Sequence, residues 1–244
     1  MAIRTHRERE PNLSNAGKGK NLVKWLLIGV AGVLVIGFGG AFVYTNFIAD
    51  DAPAPLDTTP SVQASVDPTV TLPGTWTIAE GSEVGYRVKE ILFGQEAEAV
   101  GRTSEITGTF TIDGNSLTEG SFEVDMASVT SDQSRRDGQF RGRIMEVETY
   151  PTATFELTEP LNLSGINEQQ TQGEATATGN LTVHGVTREV TFDIKGVRSG
   201  DQIQITGSIP IVFADYNIDN PSGGPAQTED SGMLEFALNF EKEA

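Results

Sequence analysis

The chain has 244 residues, and its 17 lysine and arginine residues are outnumbered by 34 aspartate and glutamate residues, which gives a formal net charge of −17 at pH 7. This excess of acid argues against a nucleic-acid-binding protein, because such a protein places basic side chains beside phosphates. The absence of cysteine excludes disulfides, thiolate metal sites and a cysteine nucleophile, and a total of two histidines argues against a multi-histidine metal centre.

The N-terminal part of the chain predicts a membrane anchor. Residues 1–24 form a basic tail, and residues 25–48 form a predicted transmembrane helix, since Trp25–Phe47 carries no charged side chain. At about 1.5 Å per residue this helix is long enough to cross a hydrocarbon core of about 30 Å. Asp50 and Asp51 follow it directly. The positive-inside rule then predicts a single-pass protein of the cell membrane with a cytoplasmic N-terminus and an extracytoplasmic C-terminal part.

A cleavable signal peptide is the alternative interpretation of the same segment. Gly39, Gly40 and Ala41 are small residues of the kind that a signal peptidase accepts. Apolar and aromatic residues continue beyond them as far as Ile48. This continuation favours an anchor that stays in the membrane.

Residues 49–73 are predicted to be a proline-rich linker. Their sequence contains few large apolar residues, and its prolines are Pro53, Pro55, Pro60, Pro68 and Pro73. A semi-extended chain rises about 3.1 Å per residue, so the linker can hold the following domain several tens of ångströms from the bilayer. Residues 74–244 are long enough to form one domain with its own core.

Strict alternation of apolar and polar residues recurs through this domain and predicts strands with one buried face. Turn signals such as Asp113-Gly114-Asn115, His184-Gly185, Arg198–Asp201 and Asn220–Gly224 separate the runs. Many one-sided strands at short spacing indicate a sandwich or a barrel, and a barrel removes exposed edges. The apolar positions of the runs are Ile106, Phe110 and Ile112; Phe122, Val124 and Met126; Phe155 and Leu157; Leu181 and Val183; Val190, Phe192 and Ile194; Ile203, Ile205, Ile209, Ile211 and Phe213; and Leu234, Phe236, Leu238 and Phe240.

One segment of the domain breaks the alternation. Ser131–Glu148 has no period of two and carries a group of arginines, so it predicts a short helix or loop across the sheet. Ser131 or Asp132 is a candidate to cap the start of the helix. We expect this segment to cover one end of a barrel.

Four motifs of the domain are distinctive: GTWTI at Gly74–Ile78, RDGQFRG at Arg136–Gly142, YPTATF at Tyr150–Phe155 and GNLTVHGVTREV at Gly179–Val190. Together they resemble the motifs of the YceI-like family of polyisoprenoid-binding proteins. The resemblance spans Pro73–Lys242 and implies an all-β fold, an antiparallel eight-stranded lipocalin-like barrel with a short helix or loop cap. It also implies that the barrel interior binds an isoprenoid-type or other long-chain lipid, with no cofactor, no metal and no catalytic residue.

The sequence departs from the family pattern at the segment that follows the arginine-aspartate pair. Many members have a histidine where this chain has Gln139, and a pair of phenylalanines where it has Ile144 and Met145. These departures leave the predicted fold unchanged and bear on the identity of the ligand.

The predicted ligand-binding residues are the large inward-facing side chains and the arginines of the non-alternating segment. Besides Arg135, the arginines expected to contact a polar or phosphate head group are Arg136, Arg141 and Arg143, and pairing with the surplus carboxylates is the alternative for them. The predicted barrel lining is Trp76, Ile106, Phe110, Phe122, Val124, Phe155, Leu157, Leu181, Phe192, Ile194, Ile205, Phe236 and Leu238.

Small residues in phase with the inward set leave two functions open. In an eight-stranded barrel they either leave a cavity for one slender ligand or accommodate strand bending and large neighbours. The first case predicts a lipid-binding protein, and the second predicts a filled barrel that acts as a surface interaction module. The small residues are Gly108, Ala153, Ala175, Ala177, Gly179 and Gly207.

Other chemistry finds little support in the sequence. Asp215, Asn217 and Asp219 have the spacing that opens a calcium loop, but Ala226 occupies the twelfth position, where such a loop needs a glutamate. His184 is the histidine of the C-terminal domain, so a Ser-His-Asp hydrolase triad would have to be built on it. A role of His184-Gly185 in a hairpin turn is the favoured interpretation, and the prediction is that the protein is not an enzyme.

Overall fold

Antiparallel strands account for most of the residues that the structure describes. The structure is a computed structural model, and it describes residues 52–56, 65, 71–163, 171–224 and 226–243. The strands form one 13-stranded sheet. They are β1 (Gly74–Ile78), β2 (Glu83–Leu92), β3 (Gln95–Thr103), β4 (Ile106–Asp113), β5 (Ser116–Asp125), β6 (Thr130–Ser131), β7 (Thr152–Leu157), β8 (Leu161–Asn162), β9 (Gln172–Val183), β10 (Val186–Ser199), β11 (Gln202–Val212), β12 (Ala226–Thr228) and β13 (Ser231–Lys242).

Eight of these strands close into a barrel, as the sequence predicted. Neighbouring strands follow the order β1, β4, β5, β7, β9, β10, β11, β13, and β13 pairs again with β1. At the closure Trp76 lies opposite Phe110 of β4, and Ile78 lies opposite Phe240 of β13. Closure leaves no free edge within the ring and gives the sheet an inside and an outside.

A hairpin of β2 and β3 extends one rim of the barrel. β2 pairs with the first half of β13, where Val84 lies opposite Phe236, while the second half of β13 pairs with β1. β3 then pairs with β2, and the short strand β6 pairs with the edge of β3. The barrel wall is therefore taller on this side.

The helical cap lies where the sequence lost its alternation. Helix α1 (Ser134–Gln139) continues as a π-helical turn over Phe140–Ile144. The expected cap by Ser131 or Asp132 is wrong, because the N-cap residue is Gln133 and its side chain makes no capping bond. The hydroxyl of Ser131 instead donates to Oδ1 of Asp137 at 2.6 Å.

Most predicted runs coincide with strands, but some of their ends were misplaced. Met126 and Phe213 belong to the 3-10 turns Met126–Ser128 and Phe213–Tyr216, which follow β5 and β11. In each case the alternation extends beyond the last ladder bond, because a residue after the strand still packs against the core.

The hairpin turn predicted at His184-Gly185 is present between β9 and β10. Both residues have positive φ, 51° for His184 and 72° for Gly185, which is the conformation of a two-residue type I′ turn. The ring of His184 packs edge-on against Tyr150, with centroids 4.6 Å apart, and its Nδ1 lies 3.2 Å from the carbonyl oxygen of Tyr216. This geometry fits a structural turn.

Part of the predicted linker contacts the outside of the barrel. The guanidinium of Arg87 donates to the carbonyl of Pro53 at 2.6 Å, and the amide of Leu56 donates to Glu235 at 3.3 Å. Further along, the amide of Ser65 donates to the carbonyl of Arg198 at 3.1 Å. Three of the described residues of the predicted linker, Pro53, Leu56 and Ser65, thus contact the barrel.

The predicted transmembrane helix at 25–48 lies outside the described residues. Within the ranges that the structure does describe, no helix has the length and apolar character needed to cross a bilayer.

Candidate ligand-binding cavity

A cavity of about 580 Å³ occupies the interior of the barrel. Its volume lies within the range of roughly 300–1,000 Å³ that is common for small-molecule sites. The walls are almost entirely apolar. All predicted lining residues except Trp76 border it: Ile106, Phe110, Phe122, Val124, Phe155, Leu157, Leu181, Phe192, Ile194, Ile205, Phe236 and Leu238.

The inward-facing side chains do not fill the barrel. Phe122, Phe155 and Leu157 point inward, yet each side chain is only partly buried. A packed core leaves few voids larger than one water molecule, so such residues would be fully buried in a filled barrel. The interior is therefore hollow along this part of the wall.

An aromatic cluster closes the barrel below the cavity. Trp76, predicted to line the cavity, is fully buried behind Phe110, and its indole nitrogen donates to the carbonyl of Leu72 at 2.9 Å. The rings of Trp76 and Phe110 stack with centroids 6.1 Å apart, and Phe240 packs edge-on against Phe110 at 4.6 Å. Trp76 supports the floor of the cavity and does not border it.

Three of the small inward-facing residues provide space for neighbouring phenylalanine rings. A Cβ added at Gly108 would lie 2.5 Å from the ring of Phe122, and one added at Gly207 would lie 2.5 Å from the ring of Phe236. Gly179 stands in the same relation to Phe155. For these three glycines, the interpretation that small residues accommodate large neighbours is correct. The alanines differ, because Ala153 and Ala177 border the cavity and Ala175 borders a smaller void below it.

The cavity opens between the helical cap and the loop that precedes β12. The exposed residues along its lining are Arg135, Gln139 and Arg143 of the cap and Gly223 and Gly224 of the loop. Arg143 donates to the carbonyl of Pro221 at 3.3 Å and so connects the two elements. We define these two elements as the mouth of the barrel.

The cap is attached to the barrel wall through Tyr86, a residue outside the predicted binding set. Its ring fits over Gly101, where an added Cβ would lie 2.4 Å from the ring, and it stacks on Phe140 of the cap. Burial raises the pKa of the Tyr86 phenol from 10.0 to about 12, and the opposing charge of Arg136 only partly offsets it. The alternation of Val84, Tyr86 and Val88 was a signal that could have identified this residue.

The three predicted head-group arginines differ in their surroundings. Arg136 borders the cavity, but it is paired with Asp132 and with Glu90, the latter at 3.4 Å. Arg141 donates to the carbonyl of Val129 at 3.3 Å and does not border the cavity. Of these three arginines, only Arg143 is both exposed and located at the mouth. Arg135, the fourth arginine of the segment, is also exposed at the mouth.

The aspartate of the RDG motif attaches the cap to β6. Asp137 is buried, and its Oδ1 accepts from the amide of Ser131 at 2.8 Å and from the hydroxyl of Ser131 at 2.6 Å. These bonds join the first turn of α1 to a strand at the edge of β3. The motif thus positions the cap over the cavity.

The calcium-loop and hydrolase alternatives gain no support from the structure. Asn217 adopts a left-handed conformation after the 3-10 turn, and Asp215 lies 3.9 Å from Arg188. Among the described residues, no group of three or more potential ligands is arranged to hold a metal ion. His184 contacts Tyr150 and the Tyr216 carbonyl, and neither supplies a serine nucleophile.

The comparison with known proteins agrees with this geometry. The model of the YceI-like domain family matches residues 76–240. A UPF0312 protein of Pseudomonas aeruginosa is 32% identical over 167 residues, which cover 65% of this chain and 79% of the relative. A UPF0312 protein of Vibrio parahaemolyticus is 27% identical over 127 residues, which cover 48% of this chain and 64% of the relative.

Two solved structures share the fold. One is described as a polyisoprenoid binding domain from Saccharophagus degradans implicated in plant cell wall breakdown; it has a TM-score of 0.56 and 18% identity, covering 70% of this chain and 99% of that domain. The other, BcnA of Burkholderia cenocepacia, has a TM-score of 0.53 and 20% identity, covering 65% of this chain and 95% of BcnA. At these identities the likeness establishes the fold alone.

Proposed function

The chain belongs to the YceI-like domain family, and from this premise we propose that it binds one amphiphilic lipid of the isoprenoid type inside its barrel. The apolar tail lies in the cavity, and the polar head lies at the mouth. The observation that carries the proposal is the open volume of about 580 Å³ enclosed by inward-facing apolar side chains.

The free energy gained by burying apolar groups favours a ligand with a long tail over a small apolar molecule. Each CH₂ group transferred from water contributes at most about 0.8 kcal/mol. Binding also costs on the order of 4–15 kcal/mol in lost freedom of motion. Only a tail that buries many carbon atoms exceeds this cost, because the walls are almost entirely apolar and offer few polar partners to a small ligand.

The mouth suits a head group with oxygen acceptors. Arg135 is exposed there and makes no ion pair or hydrogen bond within the described part of the chain, and Arg143 uses only one bond to hold Pro221. Arg136 is already neutralised by Asp132 and Glu90. We therefore assign head-group contact to Arg135 and Arg143, because a guanidinium forms strong charge-assisted bonds with phosphate or carboxylate oxygens.

The remaining parts of the proposal come from the sequence and from a structural relative. The domain from Saccharophagus degradans is described as polyisoprenoid-binding, and it shares this fold. The uncharged segment at 25–48 supports attachment to the cell membrane, with the barrel outside the cytoplasm. Membership in a family of binding proteins supports a role without catalysis.

Native mass spectrometry of the full chain, purified in detergent from a bacterial host, tests the proposal. We expect an added mass that corresponds to one lipid, identified after extraction. The variant Ala153→Phe places a ring in the cavity and should abolish this mass while the protein stays folded. The matched control is Ala127→Phe, because Ala127 is exposed outside the barrel and this variant should retain the lipid.

Two results would contradict the proposal. One is a folded wild-type chain that carries no lipid and takes none up from lipid-containing micelles. The other is equal lipid retention by both variants, which would place the lipid outside the cavity. Either result would favour the filled or empty barrel as a surface interaction module.

A further inference from the structure

We propose that the floor of the barrel limits the length of the bound tail and that Phe110 is the residue at which the tail ends. This inference rests on the proposed function and adds a rule of specificity to it. Lipids whose tails fit between the mouth and Phe110 are held completely, whereas longer tails leave part of their length outside.

The first observation is that the interior is divided in two. Below the main cavity lies a second void of about 50 Å³. Five apolar residues border both spaces and therefore form the partition between them: Phe110, Leu117, Leu161, Ile194 and Ile205. A tail that enters from the mouth meets this partition before it reaches the lower void.

The second observation is that the ring of Phe110 is held in place by two other aromatic rings. Trp76, which borders neither space, stacks on it, and Phe240, which also borders the main cavity, packs edge-on against it. Neither of these two side chains has any solvent exposure. The Trp76 indole is itself fixed by its bond to the carbonyl of Leu72. Because packed aromatic side chains cannot move aside without opening a void, the partition acts as a fixed stop.

The third observation is the volume above the stop. At roughly 30 Å³ for each water-sized group, the cavity of about 580 Å³ holds about 20 non-hydrogen atoms. This corresponds to a tail of about four isoprene units. The ligand class is therefore a medium-length isoprenoid or a chain of similar carbon number, with its head at the charged mouth.

The polarity of the lining sets the direction of entry. The three arginines that border the cavity, Arg135, Arg136 and Arg143, belong to the cap, while the partition is wholly apolar. Glu90 and Glu235 of the barrel wall also border the cavity, and Glu90 pairs with Arg136 of the cap. A polar head pushed to the floor would lose its hydration without gaining a partner there. The tail enters first, so its terminal carbons contact Phe110.

Competition among prenyl alcohols with one head group tests the length limit. The full chain in detergent is loaded with farnesol, geranylgeraniol or solanesol, and the occupancy is measured by native mass spectrometry. For the wild type, we expect affinity to rise from farnesol to geranylgeraniol and then to level off at solanesol. For Phe110→Ala, the preference for solanesol over geranylgeraniol should rise about tenfold, since the joined cavities bury at least two more carbons.

Matched variants distinguish a change in the length of the cavity from a change in its width. Phe155→Ala makes the same change in the side wall, away from the lower void, and should leave the preference for length unchanged. If Phe110→Ala does not fold, Phe110→Leu should show a smaller shift in the same direction. Adding Ala175→Leu to Phe110→Ala refills the lower void and should restore the wild-type limit.

The outcomes distinguish the inference from the proposed function. If the wild type binds the alcohols but Phe110→Ala and Phe155→Ala change the preference equally, the stop at Phe110 is wrong and lipid binding stands. If the wild type binds solanesol more tightly than geranylgeraniol, the length limit is wrong, while lipid binding stands. If the wild type binds no prenyl alcohol and carries no lipid, the proposed function itself fails.

Discussion

The ring of Tyr86 in β2 stacks on the ring of Phe140 in the cap, with centroids 5.1 Å apart and planes inclined by 11°. Tyr86 borders the cavity from the barrel wall, and Phe140 borders it from above. The pair joins two elements that the backbone ladder does not connect. Movement of the cap away from the wall requires this contact to break.

The first prediction concerns this contact. Replacing Phe140 by leucine keeps an apolar side chain but removes the stacked ring, which should lower the free energy of unfolding by about 1 kcal/mol. Because the cap then opens more often, a bound lipid should exchange several times faster with lipid vesicles. Transfer of a fluorescent lipid from the protein to vesicles measures the rate.

Phe93→Leu is the control for this experiment. Phe93 lies at the turn between β2 and β3 with 52% of its surface exposed, so the same change there removes no stacking contact. Equal exchange rates for Phe140→Leu and the wild type would show that the cap does not limit release.

The second prediction concerns the pH dependence of stability. Burial raises the pKa of Tyr86 from 10.0 to about 12, so the neutral phenol is favoured in the folded state. Below pH 10 the phenol is neutral in both states and its contribution is complete. Between pH 10 and 12 the unfolded chain releases its proton first, and stability should fall by about 3 kcal/mol.

Urea unfolding of the wild type and of Tyr86→Phe at pH 8 and at pH 12 tests this pH dependence. Between pH 8 and pH 12, the difference in the free energy of unfolding between the two proteins should change by about 3 kcal/mol. The reason is that the variant has no phenol to ionise at this position. An unchanged difference would mean that Tyr86 is not buried in solution.

The sequence was sufficient to predict the one-sided strands because their signal is local, whereas the choice of a barrel over a sandwich came from the resemblance to the YceI-like family. An inward-facing strand residue must be apolar and an outward-facing one must tolerate water, so runs such as Phe122 to Met126 and Leu234 to Phe240 carry the pattern without knowledge of their neighbours. Turn residues such as His184-Gly185 are equally local, since two positive φ angles favour a particular pair of residues.

The hairpin of β2 and β3 was not predicted, although Val84, Tyr86 and Val88 alternate with polar or small residues. The alternation also does not show that part of the outward-facing side is buried. Arg87 and Glu235 face away from the interior but are buried, and Nε of Arg87 donates to Oε1 of Glu235 at 2.5 Å. Arg87 also donates to the carbonyl of Pro53, and Glu235 accepts from the amide of Leu56. Both of these partners are distant in sequence. No rule based on neighbouring residues reports such pairing.

The position of Trp76 escaped prediction for a related reason. Alternation shows which face of the sheet a side chain occupies, but not how high it lies along the barrel axis. The height depends on strand register, which places Trp76 opposite Phe110 and Lys242 near the end of the barrel. The lining residues near the cavity could be predicted from the pattern, whereas the floor required the coordinates.

The third prediction concerns the aspartate of the RDG motif. Asp137→Ala removes the acceptor of two hydrogen bonds and leaves the partly buried amide of Ser131 without its partner, which should cost about 1 kcal/mol and loosen the cap. Asp137→Asn retains one side-chain oxygen and should lose less stability. Hydrogen exchange of the amides in α1 measures the loosening directly.

A result in which the alanine variant protects the amides of α1 as well as the wild type does would contradict this role. Equal losses in both variants would show that the negative charge, and not the geometry of the acceptor, holds the cap.

The fourth prediction compares two glycines that receive the same additional methyl group. In Gly207→Ala the new Cβ would lie 2.5 Å from the ring of Phe236 and 3.0 Å from the carbonyl oxygen of Asp193. Since the oxygen belongs to the backbone, the strand must shift, and overpacking of this kind costs about 1–3 kcal/mol. In Gly138→Ala nothing lies within 4 Å of the new Cβ, and alanine is the better helix former by about 1 kcal/mol.

The two substitutions should therefore change the midpoint of urea unfolding in opposite directions, downward for Gly207→Ala and upward for Gly138→Ala. Their difference is independent of general effects of adding a methyl group. A midpoint for Gly207→Ala at or above that of the wild type would mean that Phe236 has an alternative position, and hence that its ring does not define this part of the cavity wall.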